Sequence, residues 1–199
     1  DVGAMFSSWT IVSQTTPGVF TIDANSGQVS LLAGPLDAET LATHTLTVTV
    51  SDSLNTSAQA TVTINVTDIN DNPPVVTAAQ TFSIAENSAN ATSVGTILGT
   101  DPDSGDTLQS WMITGGNTGG AFALNAATGE LTVATTAALD FEVNPTFTLM
   151  VTVSDGTNTS AVENVVVNLT GVDEFAPVLN AATFTLPENS ANTTVVGTV

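Results

Sequence analysis

The chain repeats itself at a domain-sized interval. "GVFTIDANSGQVSLL" (18–32) returns as "GAFALNAATGELTVA" (120–134), and "FSIAENSANATSVGTI" (82–97) as "FTLPENSANTTVVGTV" (184–199), both at an offset of 102. "LDAETLATHTLTVTVSDSLNTS" (36–57) returns as "LDFEVNPTFTLMVTVSDGTNTS" (139–160) at 103, after one inserted residue. Such a period makes an array of small domains and not a solenoid of short repeats. The window is shifted against the repeat. Residues 1–73 form a partial repeat without its first two strands, 74–176 a complete one, and 177–199 the first two strands of a third.

Within the complete repeat, period-2 runs predict seven strands: 75–85, 92–99, 109–114, 120–125, 129–134, 146–154 and 162–170. In "FTLMVTVSD", Phe147, Leu149, Val151 and Val153 share one face, opposite Thr148, Met150, Thr152 and Ser154. "NAATGE" puts Gly129 where a hairpin wants a positive φ. No helix-period run of useful length appears. The expected fold is all-β: tandem seven-stranded Greek-key sandwiches, end to end.

The charge balance is one-sided. The 199 residues include 19 acids, one His, and no Lys, Arg or Cys. No surface can neutralise phosphate, which leaves nucleic acid and anionic membranes out as partners. No apolar run approaches the roughly 20 residues of a membrane helix, and no signal-peptide pattern is visible, so direct membrane insertion is not expected. Disulfides and thiolate metal sites are excluded, so stability must come from packing or hard cations.

The acidic motifs carry a family resemblance. "DINDNPP" (68–74), "AEN" (85–87), "PEN" (187–189), "DPD" (101–103), "LDAE" (36–39), "LDFE" (139–142) and "VSD" (50–52, 153–155) resemble the calcium-binding motifs of cadherin repeats. They occur in cadherin order and spacing along the whole chain. The resemblance implies successive sandwiches with Ca²⁺ at each junction, up to about three ions per complete junction.

The residues argue for metal without the family name. Fifteen of the 19 acids fall in the repeated motif positions; only Asp23, Asp106, Glu130 and Glu163 lie outside them. They sit at strand ends and connections, not along outward strand faces. With no cationic side chain available, clustered carboxylates are neutralised by protons or metal. Multiple hard oxygens favour Ca²⁺, which takes roughly 6–8 of them in irregular geometry, over Mg²⁺ and Zn²⁺.

At the first junction the candidate ligands are Asp37 and Glu39, Asp68, Asp71 and Asn72, Asp101 and Asp103, and Asp155, with Ile69 and Asn70 contributing carbonyls. Asp37 and Glu39 share a face if extended. By resemblance, the residues up to Asn72 belong to the base of the first repeat and the last three to the top of the second. Asp106 stands where cadherins usually offer a backbone carbonyl. At the second junction, "TGVDEFAPV" (170–178) replaces "TDINDNPPV", so Gly171 stands for Asp68 and Phe175 for Asn72. Glu86, Asp140, Glu142, Asp173 and Glu174 remain as ligands, for fewer ions or weaker binding. Asp1, Asp52 and Glu188 are half-sites completed by a neighbouring repeat or molecule.

Other features have plainer readings. Trp9 and Trp111 match at offset 102 and belong to the core. His44 matches Phe147 and packs. No nucleophile–base set, phosphate loop or nucleotide motif is present, so an enzyme is not expected. The expected function is a calcium-rigidified extender rod, extracellular at the cell surface. In composition it resembles the repetitive part of a large bacterial (RTX-type) adhesin. The alternative is a homophilic or polysaccharide-binding adhesion module. The partners are neighbouring repeats. The shifted window adds another: the tail of one copy completing the head of a second by strand addition.

Overall fold

A computed structural model describes residues 8–52 and 54–199. The first unit contains β1 (Ser8–Gln14), β2 (Phe20–Ile22), β3 (Val29–Leu31), the single-turn helix α1 (Ala38–Leu41), β4 (Thr43–Ser51) and β5 (Ala60–Asn65). The second contains β6 (Val75–Val76), β7 (Thr81–Ala85), β8 (Ser93–Thr96), β9 (Gly99–Thr100), β10 (Gln109–Gly115), β11 (Phe122–Leu124), β12 (Glu130–Val133), β13 (Thr146–Ser154) and β14 (Glu163–Thr170). No described helix is long and apolar enough to cross a membrane.

In the second unit a four-stranded sheet, β10-β13-β14-β7, faces a three-stranded one, β11-β12-β8. Between them lies a core of fifteen buried apolar residues. The alternation of β13 holds where it matters: Phe147, Leu149, Val151 and Val153 are all buried, while Met150 is 46% exposed. Phe147 meets Phe122 edge to face, centroids 5.1 Å apart. Gly129 has φ +72°. A Cβ there would stand 2.7 Å from the Ile97 carbonyl and 3.2 Å from the Trp111 ring, so Gly is required by both backbone and packing.

Two expected strands are broken. Residues 75–85 divide into β6, paired with β9, and β7, which runs parallel to β14. The switch is made at Ala79, with φ 58°. Gln80 fastens it: its amide donates to the Thr77 and Leu98 carbonyls, and its Oε1 accepts from Leu98 N at 2.8 Å. Residues 92–99 divide into β8 and the start of β9 for the same reason, since each piece serves a different sheet.

The first unit repeats this plan in part. β1-β4-β5 matches β10-β13-β14, and β2-β3 matches β11-β12. Among the described residues its buried core is Phe20, Leu46 and Val48. Residues 177–199, expected to supply the first two strands of a third repeat, contain no strand and are almost wholly exposed.

His44 occupies the place of Phe147, as expected. Its ring meets Phe20 edge to face at 5.2 Å, copying the Phe147–Phe122 pair. It is 5% exposed, and its Nδ1 is buried with no hydrogen-bond partner. An unsatisfied buried polar atom costs about 1–3 kcal/mol. His44→Phe is therefore expected to stabilise the first unit by about 1 kcal/mol, read as a raised denaturant midpoint. A lowered midpoint would contradict this packing.

Candidate metal centre

The linker after β5 lies against the turn after β9, and this contact assembles the first acidic cluster. Asp68 accepts a hydrogen bond from Ser104 N across the junction. Asp103 takes Asn72 N on one carboxylate oxygen at 2.9 Å and the Asn72 side-chain amide on the other at 2.8 Å. That amide also donates to Asp71 at 2.9 Å and Glu39 at 3.4 Å. Its NH₂ group thus holds three carboxylates from both units.

Two triads form here, Glu39–Asp68–Asp103 and Asp101–Asp103–Asp155, each with one oxygen per residue within 4.8 Å of the others. Asp103 belongs to both. Asp103 and Asp155 are 4% and 7% exposed. One oxygen of Asp155 accepts Thr157 N at 2.6 Å and Asn158 N at 2.7 Å. Its other oxygen is buried without a partner, as is one oxygen each of Asp68 and Asp101. Unpaired buried carboxylate oxygens are costly, and here three of them belong to one cluster with no cationic side chain in the chain. A hard cation fits that donor set.

The electrostatics bear the mark of this crowding. The neighbouring Asp68 carboxylate pushes the Glu39 carboxyl up to about 7, while the Glu39 contact and the Ser104 N–H hold Asp68 below the ordinary range. Burial raises Asp106, and the charges of Asp101, Asp103, Asp155 and Asp68 raise it further. Asp106 therefore sits in the field of the whole cluster, which its place in "DPDSGD" alone did not reveal. At Asp155 burial pushes the carboxyl up, but the N–H groups of Asn158 and Thr157 outweigh it and hold it low.

Asp37 departs from the expected geometry. "DAETL" is a helical turn and not the extended stretch expected of it. Asp37 caps α1, accepting Thr40 N at 2.9 Å and Thr40 Oγ1 at 2.8 Å. Only Glu39 enters a triad. Asp71 touches the cluster through Asn72. Asn70 meets the top of the second unit through Asn158 Nδ2, at 3.1 Å from its Oδ1. The Ile69 side chain is 68% exposed.

The second cluster is Glu86–Asp140–Glu142. Glu86 is 3% exposed, and its oxygens accept Phe141 N at 2.8 Å and Val172 N at 2.6 Å, which hold its carboxyl low. Partial desolvation raises Glu174, and the charges of Glu86, Glu142 and Asp140 add to the effect, so Glu174 stands near the cluster. Asp173 joins no triad, and no partnerless buried oxygen occurs here among the described residues. Asp52 makes the same turn as Asp155, accepting Leu54 N and Asn55 N. Glu188 is exposed in the strandless tail, and Asp1 lies outside the described residues.

The family of the Cadherin domain matches residues 7–67 and 80–170. Protocadherin-16 of Rattus norvegicus is 38% identical over 184 residues, covering 88% of this chain and 6% of that protein. Cadherin EGF LAG seven-pass G-type receptor 2 of Homo sapiens is 33% identical over 183 residues, 89% of this chain and 6% of that protein. Among solved structures, chicken VE-cadherin EC1-2 superposes with a TM-score of 0.66 at 26% identity, over 82% of this chain and 83% of that one. Mouse Cadherin-23 EC22-24 gives 0.62 at 25% identity, over 84% of this chain and 55% of that one.

The chain belongs to the cadherin family. Its units are cadherin-type adhesion modules of the extracellular kind, not enzymes, and such domains typically bind Ca²⁺ where neighbours meet. The matched relatives named here are mammalian and avian, and the chain spans only 6% of the length of the curated ones.

Proposed function

We propose that this chain is a calcium-stiffened spacer in a large cell-surface protein. The observation that carries the reading is the trio of partnerless carboxylate oxygens, on Asp68, Asp101 and Asp155. They come from the linker and from the second unit, and Asp103 belongs to both triads, so ions held by the two triads would tie one to the other. Glu39, Asp68, Asp101, Asp103 and Asp155 are the side chains that would hold Ca²⁺ there, with Asp71, Asn70, Asn72 and the Ile69 carbonyl completing the shell. Glu86, Asp140 and Glu142, with Asp173 and Glu174, would hold it at the second junction. The ion supplies the positive charge that the sequence lacks.

With calcium the junction becomes a strut. Without it, like charges repel across a linker whose freedom Pro73 and Pro74 restrict. Sites of this class bind at roughly 10⁻⁴–10⁻³ M, so they fill outside a cell and empty inside. The acidic, Lys/Arg-free composition supports placing the spacer in a bacterial adhesin extender. Small-angle scattering tests the spacer. The largest dimension should be longer and more sharply defined with Ca²⁺ than with chelator. Equal dimensions in both conditions would refute it.

A further inference from the structure

We propose that Asn158 is a positioning residue of the first junction: its side-chain amide latches the linker at 70–72 onto the second unit, so that the junction's carboxylates are set in the absence of an ion. The turn that presents it is built on Asp155. One Asp155 oxygen accepts Thr157 N and Asn158 N, at 2.6 and 2.7 Å, which fixes the Asn158 backbone beside the cluster. An Asn also stands three places after Asp52, which accepts Asn55 N at 2.8 Å, so the turn belongs to the repeat. From this turn the Asn158 amide reaches across the seam. It donates to Asn70 Oδ1 at 3.1 Å and to the Asn72 carbonyl at 3.4 Å.

The latch completes a docking that the rest of the linker begins. Asn72 gives Asp103 both its backbone N–H, at 2.9 Å, and its side-chain amide, at 2.8 Å. Asp68 accepts Ser104 N, and Pro74 is fully buried. Asn158 holds the two residues that flank Asp71, and so fixes the stretch from which that carboxylate projects. An amide suits the place. Its NH₂ group has two donors, one for each acceptor, and it adds no negative charge to a crowded cluster. The chain has no Lys or Arg that could donate there instead.

The first unit holds the docked linker less firmly. Its Glu39 accepts the Asn72 amide at 3.4 Å, longer than either bond to Asp103. Its hold on the backbone extends to Val66, whose N–H donates to the Ala42 carbonyl at 2.9 Å. The freedom of the calcium-free chain is then concentrated at Thr67, between Val66 on one unit and Asp68 on the other. An ion shared by Glu39, Asp68 and Asp103 would close that joint. The ion's part rests on the calcium reading above; the docking of 70–72 does not.

Amide hydrogen exchange of the full chain in chelator reads the latch directly. The Asn72 N–H should be protected without calcium. Asn158→Ala removes both donated bonds, keeps the backbone bond to Asp155, and should speed Asn72 exchange about tenfold. Asn70→Ala should have a smaller effect, and should add nothing once Asn158 is Ala. Thr157→Ala, exposed in the same turn, is the control. Calorimetry reads the positioning: Asn158→Ala should weaken calcium binding at the first junction about tenfold, as loss of an outer-shell partner does, and leave the second intact. Asn72 exchange equal in Asn158→Ala and Thr157→Ala, or unchanged calcium affinity at the first junction, would overturn the proposal. No calcium binding by the unaltered chain would contradict the calcium reading, and exchange would still decide the latch.

Discussion

Asp103→Asn is expected to weaken calcium binding at the first junction by at least about tenfold, because ligand charge sets affinity in such sites. Asp103 is the shared member of both triads there and is nearly fully buried. Each of its oxygens is already aimed by one N–H of Asn72, so its carboxylate is held in place before any ion arrives. The variant keeps one acceptor and loses the charge. Calorimetric titration should show the first junction's heat diminished and the second junction's intact. Glu142→Gln should do the reverse, because Glu142 serves only the second cluster. Unchanged binding in Asp103→Asn would separate this residue from the metal.

Leu149→Ala is expected to cost about 3–5 kcal/mol, the upper range for truncating a fully buried leucine. Leu149 is 0% exposed, enclosed by the two sheets of the second unit. Its counterpart Leu46 is also 0% exposed, but it packs among Val62 and Ile64, which are only half-buried. That site can collapse more readily, so Leu46→Ala should cost nearer ~2 kcal/mol. Denaturant titration of both variants measures the difference. Equal costs would mean that the first unit is as tightly packed around this leucine as the second, contrary to the half-burial of Val62 and Ile64.

Much of this was legible in residues. The alternation in β13 placed Phe147, Leu149, Val151 and Val153 on one face, and all four are buried. Pairing His44 with Phe147 marked it as a packed residue, and it is buried against Phe20. The motifs named the family. What was not legible depends on contacts distant in sequence. Nothing in "VVTAAQTF" marks Ala79 for a positive φ; the demand comes from β6 and β7 serving different sheets. The capping role of Asp37 was signalled by Thr40 three residues on, a pattern the extended reading of "LDAE" overlooked. Asn72 as the bridge among Asp103, Asp71 and Glu39, and Asp106 within the cluster's field, emerge only once the linker is laid against the second unit.

The central claim is that the seam at 66–75 is a calcium site, and a better one than its degenerate copy at 170–178. Anomalous scattering from crystals grown with Ca²⁺ tests it most directly. The account predicts strong peaks among Asp68, Asp101, Asp103 and Asp155, and fewer or weaker ones at Glu86, Asp140 and Glu142. No peak at the first cluster, or peaks confined to the second, would contradict it.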